Sequence, residues 1–139
     1  MIKNISNLGD AAVYCDFGKE VNKEINTNVI KYFYSIRNQK IKGINNLTPS
    51  YNKLIISFDL KLTNFNEIKK KIENLNINEV FIQNNKELKI PVCCDEIFGL
   101  DIGILEKKLS IKKDKILENF FNKEYFCYMT GFIAGMPFL

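Results

Sequence analysis

The residues best suited to build a site lie in the uncharged segment from Tyr125 to Leu139, YFCYMTGFIAGMPFL. Gly131 and Gly135 free the backbone there for positive φ or for close approach by another group. Pro137 removes a hydrogen-bond donor. Tyr125 to Met129 reads as a buried aromatic strand, and Gly131 to Pro137 as an apolar loop hinged on its glycines. A strand running into such a loop can form a pocket wall. The plainer alternative is a core strand that ends in a turn, and residue chemistry by itself favours it.

Nucleophilic and metal chemistry have few candidates. The chain has no histidine, which removes Ser-His-Asp and Cys-His catalysis and the common zinc sites with imidazole ligands. Cys15, Cys93, Cys94 and Cys127 show no CxxC spacing, and adjacent Cys93 and Cys94 are poorly placed for a simple bridge. They read as buried, reduced thiols, and no metal site is expected. Asp95, Glu96 and Asp101 are the acids nearest the C-terminal segment in sequence. Asp101 is as readily a helix cap as an acid–base group, so no catalytic residue is assigned.

Charge excludes other classes. A net charge of +4 over 139 residues, with Arg37 the sole arginine, gives no basic patch for nucleic acid. Lys69, Lys70 and Lys71 fall on a predicted helix and form a solvated face. No secretory h-region opens the chain, and no apolar run reaches the roughly 18 residues of a membrane span. The expected location is the cytoplasm.

These residues need elements to position them. Gly9 and Asp10 lie in a predicted turn, where Asp10 reads as a turn residue in preference to a ligand contact. Ala11 to Phe17 reads as a strand with Ala11, Val13, Cys15 and Phe17 on one face. Glu20 to Lys40 reads as a helix with an apolar stripe of Val21, Ile25, Val29, Phe33 and Ile36. Ile44 to Tyr51 reads as extended, and Lys53 to Asp59 as a strand buried on both faces. Asn64 to Leu75 is a second helix, capped by Thr63 or Asn64. This alternation predicts a small α+β sandwich with its helices on one face of a sheet. A short strand is expected over Glu79 to Gln83, a boundary at Asn84-Asn85-Lys86, and a strand over Glu87 to Cys93 interrupted by Pro91. Two helices follow: one capped by Asp101 and running to Leu109, the other over Lys112 to Phe121.

Five short motifs occur in one order: Gly9-Asp10-Ala11, Pro49-Ser50-Tyr51 before a strand, Ile90-Pro91-Val92, Gly99 with Asp101, and the closing stretch from Tyr125 to Leu139. Together they resemble the family of the 5-oxoprolinase B subunit, also called allophanate hydrolase subunit 1, which includes the KipI-type histidine-kinase inhibitors. Glu24-Ile25-Asn26 falls on a family E-L-N. Departures are Ala134, where the family usually has proline, Met136, Phe138, Lys53 in place of a serine, Cys94-Asp95-Glu96 in place of Tyr-Gly-Gly, and Phe120 in place of a histidine.

The resemblance implies an N-terminal α+β domain over residues 1–84 and the beginning of a cyclophilin-like β-barrel domain over 85–139. Family members continue beyond the closing motif, so the barrel is expected to be incomplete here, as a fragment or with strands supplied by a partner. The implied function is the B subunit of an ATP-dependent 5-oxoprolinase that hydrolyses 5-oxo-L-proline to L-glutamate with subunits A and C. The implied substrate-binding residues are Tyr128, Gly131, Phe132, Gly135 and Pro137. Aromatic walls suit the ring, and amides beside glycines suit its carboxylate. ATP is the implied cofactor of the complex. Two other roles share the resemblance: a KipI-like inhibitor acting by contact, and a carboxyltransferase-type domain related to urea carboxylase.

Overall fold

A computed structural model describes residues 1–77 and 86–139. They fall into two compact units, Met1–Gln83 with Phe126–Leu139, and Asn84–Tyr125. The expected strand over Glu79 to Gln83 and the boundary at 84/85 lie outside the described residues.

The first unit is an antiparallel sheet with two helices on one face. Its strands are β1 (Asn4–Asn7), β2 (Ala12–Asp16), β3 (Ile44–Pro49) and β4 (Lys53–Phe58), in the order β1-β2-β4-β3. Val13, Cys15, Leu54, Ile56 and Phe58 alternate onto the buried face, as the two-residue period requires. Ile55 lies half-buried on the other face. β4 is therefore covered on one side, not on both as its apolar run had suggested.

Helices α1 (Lys23–Gln39) and α2 (Phe65–Glu73) close the core. Asn22 caps α1, its side-chain oxygen accepting from Ile25 N at 2.9 Å. α2 opens on a reciprocal cap: Asn64 accepts from Glu67 N at 3.1 Å, while Asn64 Nδ2 donates to Glu67 Oε1 at 2.9 Å. One of the orphan amides at that helix start is satisfied in this way, and the cap side chain is fixed by its partner. Ile68 and Ile72 then join the core cluster with the sheet and α1 residues, each burial contributing about 1.5–3 kcal/mol. On α1 the core face is Asn26, Val29, Tyr32, Ser35 and Ile36. Val21 precedes the helix and is exposed, so the predicted stripe shifts toward polar positions. Gly43 joins α1 to β3 at φ 91, where a β-carbon would come within 2.7 Å of Thr63 Cγ2. Only glycine fits so close an approach.

The last strands are β5 (Met129–Thr130) and β6 (Pro137–Phe138), an antiparallel pair with Met129 opposite Phe138. The strand expected over Tyr125 to Met129 thus contributes little more than its final residue to a ladder.

The second unit contains α3 (Ile102–Leu109) and α4 (Lys113–Phe121). Neither helix has a buried residue. Asp101 stands at the start of α3 in a helical conformation and makes no side-chain cap bond; with the extended geometry of a cap absent, its carboxylate does not cap as expected. Residues 86–95 belong to no helix or strand, so the strand expected over Glu87 to Cys93 is not formed. Among the described residues no β-barrel is present; the expected start of one is replaced by these helices and the short β5–β6 hairpin.

Candidate functional site

Three sequence motifs meet at one place in the first unit. α1 brings Asn26, the β3–β4 turn brings Tyr51, and the C-terminal segment brings Tyr128. Asn26 is buried, and its Nδ2 donates to the carbonyls of Ser50 at 3.2 Å, Tyr51 at 3.1 Å and Tyr128 at 3.1 Å. A primary amide has two hydrogens for these three acceptors, so one is shared.

Aromatic rings surround that hub. Tyr51 lies 5.4 Å from Tyr128 between centroids, and 6.4 Å from Phe138 edge to face. Phe126 stands 4.8 Å from Tyr128, and the Lys23 ammonium sits 5.2 Å over the Phe126 ring. Such edge and cation contacts orient rings as well as bury them. The turn itself is held from behind: Asn52 Nδ2 donates to Glu20 O at 3.0 Å, and Asn52 O accepts from Phe17 N at 3.0 Å.

A charged pair flanks the turn. Lys53 Nζ donates to Asp16 Oδ1 and to the Gly18 carbonyl. Gly18 N donates to the same Asp16 oxygen at 2.7 Å. The Lys53 hydrogen bond holds the Asp16 carboxyl below the usual carboxylate range. Lys53, the long residue in place of a serine, is thus an internal partner of β2.

The residues expected to bind substrate occupy one short hairpin. Tyr128 and Gly131 are half-buried, whereas Phe132, Gly135 and Pro137 are exposed. Gly131 N donates to Met136 O at 3.0 Å, so that amide is engaged within the hairpin. The amides of Phe132, Ala134 and Gly135 make no backbone hydrogen bond in the loop. Ile133 N donates to Gly131 O at 2.7 Å around Phe132, whose φ is 61. A γ-turn with a positive central φ is rare and strained, more so at an aromatic residue. Phe132 is nonetheless 92% exposed. Two clefts of about 350 and 360 Å³ lie elsewhere in this unit, one beside Lys3, Tyr32 and Lys69, the other beside Phe33, Arg37 and Leu47. Neither is lined by the hairpin.

Asp10 follows Gly9, whose φ is 61, in the predicted turn. Cys15 is buried, but Cys93 and Cys127 are exposed and Cys94 half-buried, which corrects the expectation of four buried thiols. No group of three or more acids and cysteines able to hold a metal occurs among the described residues. No helix there is long and apolar enough to cross a membrane. Residue-level reading missed Asn26, Tyr51 and Asn52 as site residues. Their signal was motif order: Asn26 and Tyr51 each sit in a motif that carried the resemblance.

The arrangement offers aromatic faces, carbonyl oxygens and three loop amides, those of Phe132, Ala134 and Gly135, without a backbone partner. Its described cations are already engaged, since Lys23 lies over Phe126 and Lys53 is held by Asp16. Such a surface suits a small, largely apolar ligand with one polar edge and does not fit a triphosphate.

The model of the carboxyltransferase domain, subdomains C and D, matches residues 3–139. The chain is 29% identical over 147 residues to the B subunit of 5-oxoprolinase from Bacillus subtilis (strain 168), covering 97% of this chain and 61% of that protein. It therefore spans about three fifths of that relative's length. Among solved structures, TTHA0988 superposes with a TM-score of 0.73 at 18% identity, over 88% of this chain and 24% of that one. At that identity the likeness speaks for the fold. A conserved uncharacterized protein from Pyrococcus horikoshii, PH0987, gives a TM-score of 0.51 at 26% identity, over 94% of this chain and 60% of that one.

Proposed function

The chain belongs to the carboxyltransferase-domain family, subdomains C and D, and on that premise we propose that it serves as the B subunit of an ATP-dependent 5-oxoprolinase. In this reading 5-oxo-L-proline is opened to L-glutamate in a complex with subunits A and C. The observation that carries it is the meeting of Asn26, Tyr51 and Tyr128, three residues far apart in sequence drawn together by one buried amide. The site residues proposed for substrate are Tyr128, Gly131, Phe132, Gly135 and Pro137. Tyr128 supplies a ring face for the apolar edge of a five-membered lactam. The loop amides of Phe132 and Gly135 supply donors for a carboxylate, with Gly131 and Pro137 setting the backbone around them. The aromatic site does not fit a triphosphate, so no step through ATP is derived from its residues.

One observation favours a second reading. Phe132 is held outward at a costly backbone angle, which suits a residue that works by contact with another protein, as in a KipI-like inhibitor. A single experiment separates the two. The chain is mixed with subunits A and C from the same organism, 5-oxoproline and ATP are added, and glutamate is followed. Glutamate that depends on this chain supports the catalytic complex. A stable complex without turnover supports the contact role. Absence of both turnover and a complex would remove the functional assignment and leave only the family.

A further inference from the structure

We propose that Cys93 and Cys94 together form a bidentate thiol site for a single soft, thiophilic centre of the trivalent arsenical class. The two residues are consecutive, and both are free thiols, Cys93 exposed and Cys94 half-buried. In a strand, consecutive side chains point to opposite faces and cannot share a ligand. That strand is not formed: residues 86–95 lie outside any helix or strand, and Pro91 removes a ladder donor just before the pair. Immediately after it the chain is anchored, since Asp95 O accepts from Phe98 N at 2.9 Å and from Gly99 N at 3.0 Å. The pair thus has irregular backbone on one side and a fixed turn on the other.

A direct sulfur–sulfur bond would need a span of about 2.05 Å across one trans peptide, which strains the ring. A bridging arsenic atom relaxes that demand, because each sulfur bonds the arsenic and not the other sulfur. The chemistry balances without an oxidant. With an aryl arsenic(III) oxide, two As–S bonds form, the two thiol protons leave with the oxide oxygen as water, and arsenic stays trivalent.

The other two cysteines are internal controls. Cys15 is buried at 0% exposure. Cys127 is an exposed single thiol whose sulfur donates to Met129 O at 3.3 Å. The test is titration of the full chain with phenylarsine oxide, read by intact mass and by residual free thiols. The expected result is one adduct per chain with two thiols protected per arsenic. It should be reversed by 2,3-dimercaptopropanol and resist an equal concentration of a monothiol. Cys93→Ser and Cys94→Ser should each abolish protection, and Cys127→Ser should leave it intact. Protection of one thiol per arsenic, equal release by monothiol and dithiol, or capture that survives Cys93→Ser overturns the proposal. The competition needs no variant, so it decides the matter even where a substitution harms folding.

Discussion

The side-chain amide of Asn26 lies 3.1 Å from the carbonyl of Tyr128, 102 residues further along the chain. The same nitrogen reaches Ser50 O and Tyr51 O. One buried donor thus ties the first helix to the β3–β4 turn and to the C-terminal hairpin. A buried side-chain amide requires such partners, and these half-buried carbonyls supply them.

Asn26→Ala should therefore destabilise the chain by about 1–3 kcal/mol, the cost of leaving buried polar groups unpaired. Asn26→Asp should be worse at neutral pH, because a carboxylate would face three carbonyl oxygens with no hydrogen to give. Thermal unfolding at pH 7 checks the order. Equal stability of the aspartate variant and the native chain would mean that the amide does not act as this donor.

Acid should weaken the chain through Asp16. Its carboxyl is held below its ordinary value by Lys53, so the folded state binds that proton less readily than the unfolded state. Stability from this pair is present above the unfolded carboxyl value of roughly 4 and is lost as pH falls through the lower folded value. Asp16→Asn should be less stable than the native chain at pH 7, and the difference should close toward pH 2. A difference that stayed constant over that range would exclude the pair as its source.

The sheet and both core helices were legible because their signals are local. Val13 and Cys15 alternate, Val29 and Ile36 recur at helical spacing, and Asn64 with Glu67 spells a cap. Asn26 was not legible from propensity, since its value depends on carbonyls dozens of residues away. Asp101 failed as a cap because residue type does not fix backbone angle: it sits at φ -98, ψ -2. The stretch from Glu87 to Cys93 has strand-like residues, but a strand exists only where another pairs with it. The candidate loop was legible as a loop from its glycines. The outward turn of Phe132 was not, because a phenylalanine at positive φ contradicts its own preference.

Alkali should act through Cys15. Burial pushes its thiol up to about 12, against roughly 8.5 for an unfolded cysteine. Between those values the unfolded chain has lost the proton and the folded chain still holds it. Stability is thus full below about pH 8.5 and declines as pH rises toward 12. Cys15→Ala should flatten that decline while costing stability at pH 7 through the cavity it leaves. Ellman's reagent at pH 8 should label Cys93, Cys94 and Cys127 rapidly, and Cys15 only after denaturant. Rapid labelling of Cys15 in the folded chain would contradict its burial.

The loop from Gly131 to Met136 makes the sharpest prediction, since two substitutions should move it in different ways. Met136 N donates to Ile133 O at 3.0 Å, and Gly135 has φ 81. Ala134, whose φ is not positive, then occupies the second position of a type II turn, where proline is favoured. Its N–H makes no backbone bond in the loop, so Ala134→Pro removes nothing and should add about 0.4–1 kcal/mol by restricting the unfolded chain. Phe132→Gly should relieve about 1–2 kcal/mol of left-handed strain, offset in part by glycine's greater entropy loss. If the loop is a substrate wall, Ala134→Pro should keep glutamate formation and Phe132→Gly should lower kcat/KM. If the loop works by contact, Phe132→Gly should weaken the complex with a partner while thermal stability holds. A lower unfolding temperature for Ala134→Pro would show that the turn is not of this type, and the placement of the Phe132 and Gly135 amides around it would fall with it.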